Sequence, residues 1–215
     1  MKQRLLTFFC LGFLFCLRMG AWPIDSLFIH APRQILSLLD QTAKFDLIDF
    51  YNEGLTAKVE NLYGGVTVMV QKNEGFVRLQ LSEVSDWTLK VFETEDGAPF
   101  LVCVHSVKAN GRSATVRVYD MDWKEKKMEV PAPVMDQFMA MKRPYVTSKL
   151  QSFVTSLAYL SVDVQLNDSV QALRYELSAP EAFDTGSEAL EDWIVPVVYT
   201  WNGKSFEAER AAAQP

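Results

Sequence analysis

Two runs of alternating residues set the strongest limit on the fold. Val66, Val68 and Val70 alternate with Thr67 and Met69, and Val77, Leu79 and Leu81 alternate with Arg78 and Gln80. A period of two places successive side chains on opposite faces of a strand. Lys72-Asn73-Glu74-Gly75 lies between the runs and supplies a tight turn. The expected product is an antiparallel hairpin. Further apolar stretches at 87–92, 100–107 and 114–119 are separated by Glu95-Asp96-Gly97 and Asn110-Gly111. Short strands joined by such turns predict an antiparallel meander.

Helical spacing brackets the meander. Over 24–52, Ile35, Leu38 and Leu39, then Leu47, Ile48 and Tyr51, recur at three and four residues. Pro32 suits a helix first turn, with Leu36 and Leu39 facing the core. Gln41 to Lys44 interrupt the pattern, so two helices or a kinked one are expected, with Gly54 as the stop. Pro131 and Pro133 close this half. A second helical region is predicted over 135–160, divided by Pro144, with Val146, Leu150, Phe153, Val154 and Leu157 on its apolar face. Strands return at 162–166, 172–177 and 194–201, and Asn202-Gly203 turns the chain into Ser205-Phe206-Glu207.

The fold class that follows is α+β, with helices packed on one face of antiparallel sheet. The halves echo each other: Val70-Gln71-Lys72-Asn73-Glu74 resembles Val164-Gln165-Leu166-Asn167-Asp168, and Leu81-Ser82 resembles Leu177-Ser178. Two tandem helix-plus-sheet repeats are one reading. Chance recurrence of valines alternating with polar residues is the other. The expected segments are 1–21, a signal peptide; 22–130, a first helix-plus-sheet unit; 131–207, a second; and 208–215, a disordered tail.

The signal peptide is read from Lys2 and Arg4, the uncharged run from Leu5 to Leu17, and the small residues Gly20 and Ala21 before Trp22. The run stops at Arg18, short of the roughly 20 apolar residues a membrane span needs. Lipid attachment at Cys16 is disfavoured by the bulk of Phe15. The expected location is therefore periplasmic or extracellular. Cleavage removes Lys2, Arg4 and Arg18, taking the net charge from −6 to −9. An acidic chain of this kind is a poor match for nucleic acid or an anionic membrane face. Cys10 and Cys16 also depart, and Cys103 alone cannot form an internal disulfide. The mature domain must be held by its core.

Candidate chemistry is sparse. His30 and His105 have no second His or Cys at ligand spacing, so no metal site or cofactor is expected. Cys103 and His105 share a strand face and could form a dyad, although a buried inert thiol is the simpler reading. Asp46 and Asp49 are neighbours on a helix and could act as paired carboxylates or form a solvated edge. The acidic stretch 181–192 lacks the ligand pattern of a calcium loop. Thr185 with Glu188 there suggests a helix cap. Met135, Met139 and Met141 with Phe138 form a soft apolar patch suited to core filling. Among the tryptophans, Trp123 and Trp201 lie near hairpin ends, where a ring can stack on a sugar or anchor a partner, or else close the core.

The stretch Leu27-Phe28-Ile29, Pro32, Ile35-Leu36 and Leu39, then Phe45-Asp46-Leu47-Ile48-Asp49-Phe50-Tyr51 and Asn61-Leu62-Tyr63-Gly64-Gly65, resembles a family of secreted Bacteroidetes proteins, domain-of-unknown-function family 3256. Members often read Met-Pro-Asp-Ser-Leu in the first helix; His30-Ala31-Pro32-Arg33-Gln34 stands there instead. The resemblance implies an envelope or secreted location and brings no activity with it. The helix-plus-sheet layout also resembles β-lactamase-inhibitor-like and PepSY-like modules, a likeness of fold alone. The expected function is a non-catalytic exported module binding a protein, peptide or glycan. The alternatives are a hydrolase with a dispersed active site built from residues such as Cys103, His105, Asp46 and Asp49, or a structural or assembly subunit of the envelope.

Overall fold

A computed structural model describes residues 23–109, 111–139, 161–178 and 194–209. The signal segment, Cys16, Asn110, Met141, Pro144, the apolar face from Val146 to Leu157, the acidic stretch 181–192, Trp193 and the tail beyond 209 lie outside the described residues.

The chain is sheet-rich. Two short helices, α1 (Ile24–Ile29) and α2 (Gln41–Asn52), precede β1 (Lys58–Glu60), β2 (Val66–Asn73), β3 (Phe76–Ser82), β4 (Ser85–Glu93), β5 (Pro99–Ala109) and β6 (Gly111–Tyr119). These six strands form one antiparallel meander in chain order. β7 (Ser161–Leu166), β8 (Ala172–Ser178), β9 (Val197–Trp201) and β10 (Phe206–Ala208) form a second antiparallel sheet, ordered β10-β9-β8-β7. At the end of the second sheet Ala208 pairs with Tyr199, and Glu209 N–H donates to Val198 O at 2.8 Å.

Two expectations for the helices are corrected. Pro32 opens a single turn, closed by Ile35 and Leu36 N–H on its carbonyl at 2.9 and 3.1 Å, and no helix continues from it. Leu36 and Leu39 still point into the core. Gln41 to Lys44, read as an interruption, form the first turn of α2, capped by Asp40, whose carboxylate accepts from Ala43 N–H at 2.8 Å. The apolar pattern breaks there because Lys44 occupies an inward position. It is buried, and its Nζ donates to Ala31 O at 2.6 Å. Gly54 ends α2 as expected, at φ 70°. Leu55 N–H returns to Phe50 O and Gly54 N–H to Tyr51 O, a Schellman closure. In the second helical region only a 3-10 turn, Met135–Phe138, lies among the described residues.

Strand alternation sorts the first sheet onto two cores. Val77, Leu79, Leu81, Trp87, Leu89, Leu101 and Cys103 share a buried cluster with Ile24, Leu27, Phe28, Leu47 and Ile48 of the helices. Phe76, Phe92, Phe100, Val102, Val104 and Val118 point the other way and pack with Val164, Leu166, Leu173, Tyr175, Leu177, Val197 and Trp201 of the second sheet. β4 and β5 are therefore buried on both faces, which is why 100–104 reads as an unbroken apolar run. Phe138 of the soft patch is buried in this second core, with Met135 and Met139 packed against it.

Candidate functional site

The sheet face toward the helices carries the expected dyad residues. Cys103 and His105 lie two apart on β5 and line one recess of about 170 Å³ with Trp87, Thr115, Arg117 and Tyr119. Cys103 is buried and free, and burial pushes its thiol far above the ordinary range. A thiol of that kind is no nucleophile. His105 is bound elsewhere: its Nε2 shares a hydrogen bond with Ser85 Oγ at 2.8 Å. Burial lowers the imidazole pKa, with nearby Asp86 acting in the opposite sense, so the ring is neutral at physiological pH. Ser85 with His105 has the outline of a nucleophile and its base. Among the described residues no carboxylate completes a triad on that face. Asp86 follows Ser85 by one residue, so its side chain projects to the opposite side of the sheet, where Arg112 binds it. Asp46 and Asp49 sit on α2, Asp49 exposed and Asp46 half-buried, and neither lines the recess. Among the described residues no group of three or more His, Cys, Asp or Glu is placed to hold a metal ion.

The two tryptophans sit in different surroundings. Trp201 is 7% exposed, edge-on to Phe100 at 5.2 Å and against Phe206 at 5.0 Å. Its indole N–H donates to Glu93 O at 2.8 Å. Trp123 is half-buried beside Tyr119, with ring centroids 5.6 Å apart. It sits at φ 63°, an uncommon conformation for a large side chain. Its indole N–H is buried, with no acceptor among the described residues.

The opposite face of the first sheet holds a polar cleft of about 290 Å³ that sequence reasoning did not single out. Its floor follows the strand register. Arg78 on β3 pairs with Thr88 on β4, and Gln80 pairs with Asp86. Asp86 in turn pairs with Ser106 on β5. Asp163, Val164 and Gln165 of β7 form the far wall, and Val70 and Arg112 complete it. Arg112 binds both Asp86 and Asp163, the latter at 3.1 Å, and Ser106 Oγ donates to Asp163 at 2.7 Å. Asp163 is only 4% exposed, so this network is a cost unless every member is paired. The hydrogen bond to Asp86, ahead of the charge of Asp163, raises the already high pKa of Arg112. Arg78, half-buried in the same cleft, makes no ion pair or side-chain hydrogen bond among the described residues. The only sequence signal for the cleft was a polar residue at every second position of β3, which fits a solvated strand equally well.

A second inter-sheet contact lies beside it. Lys90 is buried, and its Nζ donates to Asn167 O and Val170 O, both at 2.5 Å. Burial lowers its pKa, with the charge of Asp168 offsetting part of the shift. Among the described residues no helix is long and apolar enough to cross a membrane.

The architecture has a relative of known structure. A domain of an uncharacterized protein from Porphyromonas gingivalis W83 superimposes with a TM-score of 0.67 at 19% identity, covering 86% of this chain and 97% of that one. At that identity the likeness is one of fold. No curated protein matches the chain. The family model for the protein of unknown function DUF3256 matches residues 16–206, nearly the whole sequence, and the chain belongs to that family.

Proposed function

We propose that the chain is an exported, non-catalytic module that binds a peptide, protein or glycan in the envelope or outside the cell. One observation carries this reading: among the described residues the inter-sheet cleft holds a guanidinium with no ion pair, Arg78, among polar side chains, whereas His105 is joined there by no carboxylate placed to orient a base. The same reading treats the molecule as helices laid on one face of antiparallel sheet. The cluster shared by α1, α2 and the first sheet supports that part. The unequal sheets, six strands and four, lend no support to a tandem repeat. Export is tested by mass measurement of the protein recovered from cell fractions. A mature chain beginning near Trp22 in the envelope or medium is expected, and a full-length cytoplasmic chain overturns the reading. Binding is tested by immobilising mature chain against envelope extract, with heat-denatured chain as the control. A reproducible component retained only by folded chain is expected; none retained counts against it.

The Ser85–His105 hydrogen bond favours a second reading, a serine hydrolase. A fluorophosphonate probe distinguishes the two. No labelling is expected, and labelling abolished by Ser85→Ala would establish the hydrolase instead.

A further inference from the structure

We propose that the inter-sheet cleft is a receptor for the zwitterionic ends of a short peptide, its carboxylate on Arg78 and its ammonium at the Asp86–Asp163 end. This deepens the binding reading and rests on it. The charges are arranged as a dipole. Arg112 stands between two carboxylates, so that end of the cleft carries one negative charge in excess. Arg78 supplies a positive charge at the other end that no described residue pairs. The register makes Arg78 and Asp86 diagonal neighbours on one face, with Cβ atoms somewhat less than about 7–8 Å apart. An extended chain advances about 3.3–3.6 Å per residue, so the ends of a dipeptide span that interval. A guanidinium fork is suited to a carboxylate, which it holds through paired N–H donors.

The lining sets the rest of the ligand. Val70 and Val164 offer small apolar contacts. Gln80 is exposed, makes no side-chain hydrogen bond among the described residues and is free to meet a peptide group. Among the described residues no aromatic ring lines the cleft to offer a sugar a stacking surface, whereas its charged and amide groups suit a peptide. Its 290 Å³ lies near the bottom of the usual range for small-ligand sites, roughly 300–1,000 Å³. Small side chains such as alanine are therefore expected.

The test titrates the folded mature chain with L-alanyl-L-alanine, followed by calorimetry and by amide chemical shifts. Saturable binding at millimolar concentration is expected, with shifts centred on β3, β4 and β7. Losing one charge-assisted contact removes roughly tenfold to a hundredfold in affinity. Alanyl-alaninamide, which lacks the carboxylate, should lose that much on the wild-type chain, so this arm needs no variant. N-acetyl-dialanine should also weaken, and free alanine should bind less well than the dipeptide because it cannot span the two ends. Arg78→Gln should match the loss caused by amidation, and Arg78→Lys should recover part of it. Equal binding of amide and acid, tighter binding of free alanine, or no saturable binding of dialanine overturns the proposal. If dialanine fails while wild-type chain and the Arg78→Gln variant capture the same envelope component, the cleft inference falls and the binding-module reading stands. If neither ligand nor component is retained, both fall.

Discussion

Cys103 and Lys90 show how a residue's surroundings override its usual chemistry. With its thiol pKa raised by burial, Cys103 stays protonated in the native state where an unfolded chain would ionise near its ordinary value of 9.0. The neutral native thiol favours folding below that value. Stability is lost as pH climbs above it, because only the unfolded chain releases the proton. Native protein should therefore resist a thiol-specific disulfide reagent at pH 8 and react only at its unfolding rate. Fast stoichiometric labelling would show that the thiol is accessible. Lys90 is held by two carbonyls of the β7–β8 turn. Lys90→Ala leaves both without their donor and should cost about 1–3 kcal/mol in urea unfolding. The inert thiol was legible in the sequence, because Cys103 sits inside an apolar strand run. Arg78 was not. Whether a polar strand residue meets water or a partner strand depends on β7, more than 80 residues away in the chain.

At the scale of elements, α2 depends on its two ends. Asp40 satisfies the first turn and Gly54 adopts the left-handed conformation that closes the last. A Cβ at Gly54 meets nothing within 4 Å, so Gly54→Ala isolates the conformational cost, about 1–2 kcal/mol, read as a fall in melting temperature. Asp40→Ala should cost about 1 kcal/mol by the same measurement. The hairpins were legible because alternation and turn residues agree at Asn73, whose side chain accepts from Gly75 N–H at 3.1 Å. β1 was not, since three residues establish no period. The start of α2 was misread for a different reason: a buried lysine stands where the pattern called for an apolar residue, and its partner, Ala31 O, is a tertiary contact.

At the scale of the molecule, the two sheets close on a single core between them. Unfolding should therefore be one transition, with near- and far-ultraviolet circular dichroism coincident. A fragment spanning 22–130 would leave Phe76, Phe92, Phe100, Val102 and Val104 uncovered, and should bind the dye ANS strongly and lose fixed aromatic signals. A fragment with native near-ultraviolet signals and no dye binding would mean that the first sheet folds alone. The sequence showed 100–107 as an apolar strand in the meander but not that 100–104 is buried on both sides, because an unbroken apolar run does not say what covers either face.

The turn between β9 and β10 carries one more consequence. Gly203 approaches Glu95 so closely that its carbonyl accepts the Glu95 N–H at 2.9 Å and an added Cβ would stand 3.1 Å from that nitrogen. Trp201 and Phe206, on either side of this turn, cover Phe100 and Phe92. The six-stranded meander is assembled from neighbouring hairpins and can form early, whereas its aromatic cover is synthesised more than 80 residues after β6 ends. Until that hairpin docks, the nascent chain displays a greasy, chaperone-attractive face. Docking of β9 and β10 takes that face out of solvent, and the Gly203 contact ties their turn to Glu95.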